Sequence, residues 1–170
     1  RSAALCGPEP SLLIGVNGSV MSNPIGVSVL GATGSIGASA LDVIRMHPDR
    51  FKVVGLSAWR QADALASLVS EFSPSVVAAA PEVLAGFPSE ANGGCAGAAY
   101  CSGAGGLNSI ASHPDVVTVV AGISGAAGLE SIFSAVKSGK RVLIANKEPL
   151  VMCGDLLRQA ARESNATLFP

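Results

Sequence analysis

The stretch VSVLGATGSIGASALDVI, residues 27–44, sets Gly31, Gly34 and Gly37 three residues apart between an apolar run and an amphipathic one. Glycine allows backbone geometry and close approach that a Cβ obstructs. At the start of a helix, unpaired amides and the helix dipole together favour a negative group. The chemistry this spacing offers is phosphate binding. Gly31 makes the tight turn, Gly34 lets the backbone approach a pyrophosphate, and Gly37 lets the helix pack close to the sheet. Thr33 and Ser35 add hydroxyls, and the backbone donors near Ile36 face the same region. G-x-x-G-x-x-G departs from the commoner G-x-G-x-x-G, so its weight comes from its place between a strand and a helix. A purely conformational glycine turn is the competing reading. No G-K-[ST] ending follows, which disfavours nucleoside triphosphate chemistry.

A second group lies in LSAWRQ, residues 56–61. NAD-binding folds often end this strand with an acid that accepts from the adenosine ribose. None stands here, and Asp63 is better placed to begin the next helix. Arg60 can pair bidentately with a 2′-phosphate, and Ser57 or Gln61 can add hydrogen bonds. NADP is therefore favoured over NAD. Trp59 suits either stacking on adenine or an ordinary core or surface contact.

The third group is Asn146, Lys147 and Glu148, within GKRVLIANKEPLV at 139–151. Lys147 can pair with an anionic substrate or polarise an oxygen. Glu148 can accept from a ribose or orient the lysine, and Asn146 brings both amide donors and an acceptor. A helix cap with a local Lys–Glu pair explains the same residues without a ligand.

Positioning these groups requires alternating strands and helices. Val27, Val29 and Leu30 mark a buried strand, followed by a helix over 37–47 with Leu41, Val43 and Ile44 on one side. A strand at 51–58 precedes a helix at 61–72, with Ala64, Leu65, Leu68 and Val69 on its apolar side. PSVVAAA reads as a short third strand. Residues 86–106 are rich in glycine and least readable, with a short helix after Gly106. A strand at 116–122, a helix at 126–138 stopped by Gly139, a strand at 140–145 and a helix at 149–163 with Pro149 in its first turn complete the pattern, and ATLF begins a last apolar segment. The fold class is α/β, a Rossmann-like, mostly parallel sheet with helices on both faces and right-handed crossovers. Ligands in such folds gather beyond the carboxyl ends of the strands, where residues 31–37, 57–61 and 145–148 are expected to converge. A structural α/β core without a cofactor is the alternative.

Composition agrees with one domain and one sizeable core. The 170 residues are 49% apolar and 14% charged, and 11 Lys plus Arg against 12 Asp plus Glu leave a formal charge of −1. Nothing builds a broad polyanion-binding face, so nucleic acid is not an expected partner. No apolar stretch is long enough to span a bilayer; Leu12, Leu13, Ile14 and Val16 form only a brief patch. Cys6, Cys95, Cys101 and Cys153 are scattered, and only His47 and His113 can add imidazoles, so free thiols in a reducing interior are expected rather than a zinc site or disulfides. Residues 1–24 are expected to be an extension or a tag or targeting remnant, with Met21 as a candidate start.

LGATGSIG, LDVIRMHPDRFKVVGLSA, VVAGISGAAGL and VLIANKEPLV, taken in this order, resemble the N-terminal NADPH-binding part of the 1-deoxy-D-xylulose 5-phosphate reductoisomerase family. The resemblance spans residues 27–170. It implies that Thr33, Gly34, Ser35 and Ile36 form the cofactor phosphate turn and that Trp59, Arg60 and Gln61 meet the adenosine phosphate. It implies cofactor contacts for Asn146 and Glu148, and a substrate contact for Lys147. Trp59 departs from the family's small residue, Arg60 replaces a lysine, and Pro149 stands where serine is common.

The implied reaction, in the non-mevalonate route to isoprenoids, converts 1-deoxy-D-xylulose 5-phosphate into 2-C-methyl-D-erythritol 4-phosphate. Rearrangement gives an aldehyde that NADPH reduces, with Mg2+, Mn2+ or Co2+ holding the substrate oxygens. The resemblance further implies that residues 25–170 stop short of the catalytic, metal-binding and C-terminal domains. No metal ligand and no complete catalytic set is therefore expected here, and this length alone is expected to bind cofactor without turnover. A homodimer is implied; the bacterial cytoplasm is the expected location, with a plastid as the alternative. A semialdehyde-type dehydrogenase and a non-catalytic NADP-binding sensor are the competing functions.

Overall fold

A computed structural model describes residues 23–85, 87 and 98–170. The expectations for residues 1–22, for Cys6 and Cys95, and for most of the glycine-rich stretch before Ala98 lie outside the described residues. The strands are β1 (Ile25–Leu30), β2 (Phe51–Ala58), β3 (Val76–Ala79), β4 (Ala99–Ser102), β5 (Thr118–Ala121), β6 (Arg141–Ile144) and β7 (Thr167–Phe169). The helices are α1 (Ser35–Met46), α2 (Ala62–Phe72), α3 (Pro81–Ala85), α4 (Gly103–Ser112), α5 (Leu129–Lys137) and α6 (Glu148–Ser164), with a 3-10 turn over Gly125–Gly128.

The strands form one sheet in the order β4-β3-β2-β1-β5-β6-β7, every pairing parallel. The chain winds outward from β1 in one direction through β4, then returns to the other side of β1 with β5. That reversal places a crevice beyond the carboxyl ends of β1 and β5, the position where ligands bind in such sheets.

Side chains that alternate along each strand feed two cores. Val29, Leu56 and Val77 meet Leu41 and Ile44 of α1 and Leu65 and Val69 of α2 on one face. Leu30, Val119 and Val142 meet Ile110 of α4, Ile132 of α5 and Leu157 of α6 on the other. Both faces thus carry helices. Toward the β7 edge the α1–α2 face thins out, and the paired Leu143 and Phe169 remain exposed there.

Local chemistry accounts for the boundaries. Gly139 follows α5 at φ 71°, and its N–H donates to Val136 O at 2.9 Å, a left-handed stop that glycine adopts without a Cβ penalty. Asn165 ends α6 at φ 56°, a conformation asparagine tolerates better than most residues. Pro149 sits in the first turn of α6 and Asp63 in that of α2. α6 departs from helical geometry at Cys153. Between α1 and α2, Arg45 donates to both Asp42 and Glu71 and lies over the Phe72 ring at 5.1 Å. Its hydrogen bonds hold the Glu71 carboxyl below the usual carboxylate range.

Several expectations need correction. Val43 and Ala64 point to solvent. The buried line of α1 is Gly37, Leu41 and Ile44, spaced by four and three, and Val43 lies about 100° off it. On α2, Ala62 and Ala66 flank Leu65 and Val69 where Ala64 was expected. β4 was not anticipated, because AYCS is an edge strand with a weak burial pattern. α4 starts at Gly103, ahead of the glycine expected to precede it, and α1 starts at Ser35, two residues early. Among the described residues, Cys101 and Cys153 are free thiols.

Candidate functional site

The turn after β1 is built by Gly31, whose φ of 81° a side-chain-bearing residue rarely adopts. Its N–H donates to Ser57 Oγ at 3.1 Å, and the N–H of Ala32 donates to Ser57 O at 2.7 Å. Gly34, whose N–H closes on Gly31 O at 3.1 Å, caps α1 with extended backbone. No side chain caps this helix and no acid stands in its first turn. The amides that open α1 therefore have no intrahelical acceptor and no competing carboxylate, the condition for anion binding.

The glycines divide by role. A Cβ on Gly37 would lie 2.3 Å from Gly31 O and 2.6 Å from Ala32 Cα, so this glycine packs the helix against its own turn rather than against the sheet. A Cβ on Gly34 would meet only Gly31 O, at 3.4 Å, an ordinary contact. The fold itself does not require glycine at 34; the space it leaves opens into the crevice.

That crevice is a cavity of about 610 Å³, within the range of small-molecule sites. Gly31, Thr33 and Gly34 form one wall, and residues 57–61 form another. Ala104 and Leu107 of α4, with residues 122–124 and Ala127 after β5, supply the rest. Ser35 and Ile36 are exposed at the start of α1, beside this wall rather than on it. Trp59, 52% exposed, lines the cavity with Arg60 and Gln61. Arg60 takes part in none of the ion pairs among the described residues. One cavity thus sets a helix N-terminus and a guanidinium, two groups that favour anions, on its walls.

Of the three expected segments, the first two meet here and the third does not reach the wall. Asn146 is half-buried, and its Nδ2 donates to Ile123 O at 2.5 Å, which ties it to the cavity through the loop after β5. Lys147 precedes α6 and Glu148 opens it, both exposed. β6 lies two strands from β1, roughly 10 Å at the usual strand spacing, which accounts for the separation.

Residues 122–124, Ala127, Ala104 and Leu107 were not named as site residues from the sequence. The signal for the first four was present in AGISGAAG, a second glycine-rich turn directly after a strand. A Cβ on Gly122 would approach Leu30 O to 3.0 Å, a tight contact with backbone that glycine avoids. Ala104 and Leu107 follow the unreadable stretch and carried no signal. For a divalent metal the residues do not fit: among the described residues no group of three or more His, Cys, Asp or Glu is placed to hold one.

The sequence profile of the 1-deoxy-D-xylulose 5-phosphate reductoisomerase family matches residues 27–154. The chain belongs to that family. The reductoisomerase of Ralstonia pickettii is 49% identical over 148 residues, covering 85% of this chain and 37% of its own length. A crystal structure of a DOX-P reductoisomerase in complex with magnesium superposes with a TM-score of 0.83 at 42% identity, covering 87% of this chain and 37% of that one. The reductoisomerase of Zymomonas mobilis, solved in complex with NADPH, gives 0.81 at 38% identity, covering 88% and 39%. The chain thus spans little more than a third of the length of the reductoisomerases it matches. Membership sets it apart from the semialdehyde-type dehydrogenases.

Proposed function

We propose that this chain is the NADPH-binding part of a 1-deoxy-D-xylulose 5-phosphate reductoisomerase, which reductively isomerises that substrate to 2-C-methyl-D-erythritol 4-phosphate. The observation that carries the reading is the meeting of Thr33, Gly34 and Arg60 on one cavity beyond the switch from β1 to β5. The Zymomonas mobilis relative, solved with NADPH, supports the choice of cofactor.

In this reading the amides that open α1, at Ser35 and Ile36, take the pyrophosphate, with the Thr33 hydroxyl beside them. Arg60 pairs with the 2′-phosphate and Gln61 adds a hydrogen bond, while the Trp59 ring covers the adenine. Asn146 spends one amide N–H on Ile123 O, which leaves its other N–H and its Oδ1 for the nicotinamide end. Glu148 accepts from a ribose hydroxyl, and Lys147 holds an oxygen of the phosphorylated substrate. NADPH supplies the hydride. The chain's residues fix its position, with Ala104 and Leu107 giving it an apolar wall. Mg2+, Mn2+ or Co2+ belongs to polypeptide that the relatives possess beyond the matched third. A homodimer in the cytoplasm completes the proposal; no helix among the described residues is long and apolar enough to cross a membrane.

Trp59 is the one tryptophan of the chain, so its fluorescence reports on the cavity directly. Titration with NADPH is expected to quench it saturably, and NADH to bind more weakly. Arg60→Ala removes a charge-assisted contact of about 1.5–3 kcal/mol and is expected to weaken NADPH roughly 10- to 100-fold with little change for NADH. Equal losses for both cofactors would remove the 2′-phosphate role. With polypeptide of the relatives' full length, the substrate, NADPH and Mn2+ are expected to yield the branched phosphate. Saturable NADPH binding without product in that folded protein would favour the non-catalytic sensor.

A further inference from the structure

Ser57 is buried at the carboxyl end of β2 and paired in register with Leu30, the last residue of β1. Beyond Leu30 the chain leaves the sheet, and the Gly31 N–H turns away from its ladder partners. Its acceptor is the Ser57 hydroxyl, while the neighbouring Ala32 N–H takes the Ser57 carbonyl. One residue therefore holds two successive amides of the glycine turn. Ser57 also lines the cavity, two residues before Trp59.

We propose that Ser57 is a positioning residue for the dinucleotide: its hydroxyl pins the Gly31 turn to β2 and so holds the opening amides of α1 toward the cavity before any ligand arrives. This rests on the dinucleotide reading above. It assigns Ser57 to the pyrophosphate end through Gly31, rather than to a direct contact with the 2′-phosphate. The carbonyl half of the clamp is available to any residue at 57, but the hydroxyl half is not. The turn is already tied on both sides of this amide, by the Ala32 N–H to Ser57 O at 2.7 Å and by Gly31 O accepting from the Gly34 N–H at 3.1 Å, so the Ser57 hydroxyl is the acceptor it presents to the Gly31 N–H.

Ser57→Thr and Ser57→Val give side chains of the same shape that differ in the hydroxyl, so their packing costs cancel. Dissociation constants for NADPH, NADH and adenosine 2′-monophosphate would be measured by Trp59 fluorescence, and exchange of the Gly31 amide by NMR without ligand. The hydroxyl-free variant is expected to bind both dinucleotides roughly five- to tenfold more weakly than the threonine variant, the size of one neutral hydrogen bond. Both variants are expected to bind adenosine 2′-monophosphate alike, and Gly31 exchange is expected to rise with valine only. Equal dinucleotide affinity in the two variants overturns the proposal. So does a loss confined to NADPH, which marks a direct 2′-phosphate contact, or an equal loss for adenosine 2′-monophosphate, which marks general loosening. If either variant fails to fold, Ser57→Ala against the wild type carries the same comparison. Wild-type protein that binds neither dinucleotide overturns the cofactor reading itself, and Ser57 then has no ligand to position.

Discussion

Replacing Gly34 and Gly37 separately by alanine tests whether the glycine turn is built for the fold, the ligand, or both. At 37, the new Cβ would sit 2.3 Å from Gly31 O and 2.7 Å from Ala32 O. The first distance is 0.7 Å inside the 3.0 Å that such contacts essentially never cross. Both neighbours are backbone atoms of the turn itself, so no flexible side chain can yield. Alanine gains at most about 1 kcal/mol of helix propensity over glycine. Overpacking of this kind costs about 1–3 kcal/mol or more, and sterics win. At about 2–4 °C per kcal/mol for a chain of this size, a net loss near 2 kcal/mol lowers Tm by roughly 4–8 °C. At 34 the geometry differs. The Cβ would meet only Gly31 O at 3.4 Å, and φ is −83°. The cost there is the modest preference for glycine over alanine at a helix N-cap, of order 1 kcal/mol or less. The Cβ would instead occupy the cavity wall against which the proposed pyrophosphate would lie. Gly34→Ala is therefore expected to melt near the wild type and bind NADPH at least tenfold more weakly. Gly37→Ala is expected to lose stability first. Thermal denaturation by circular dichroism, with NADPH titration on Trp59 fluorescence at 25 °C, separates the two. A Gly34→Ala protein that binds NADPH like the wild type would refute the placement of the phosphate, and an unshifted Tm for Gly37→Ala would refute the steric argument.

Other perturbations follow from the same geometry. Leu41→Ala empties a fully buried position between α1 and the sheet and is expected to cost about 2–5 kcal/mol in urea denaturation. Asn146→Ala removes the donor to Ile123 O; NADPH should bind roughly two- to tenfold more weakly, with faster amide exchange at residues 122–124. Glu71→Gln probes the link between α1 and α2. Because Arg45 holds the Glu71 carboxyl below its ordinary range, the pair adds stability above that range and loses it as pH falls through the depressed pKa. The variant should therefore be less stable than the wild type near neutrality, and the gap should close in acid. Both partners are substantially exposed, so the gap is small.

Much was legible in the sequence because one-dimensional signals decide it. Alternating apolar runs and helical spacing set the α/β architecture, and the glycine spacing after β1 marked the turn. The absence of an acid after β2, with Arg60 in its place, is the sequence ground on which the proposed phosphorylated cofactor rests. Which apolar residue of a helix faces the core depends on a rotation of about 100° per residue, and this is where Val43 and Ala64 were misplaced. Strand order, and with it the reversal at β1 that opens the cavity, depends on pairings between residues up to 91 positions apart, as between Val27 and Thr118. Such pairings leave no local trace. For the same reason Ala104, Leu107 and Ile123 became wall residues only on folding, and Asn146 is linked to the cavity only through its bond to Ile123 O in the loop after β5. That Ser57 holds the Gly31 amide was likewise decided by the register of β1 against β2, which brings together two residues 26 apart.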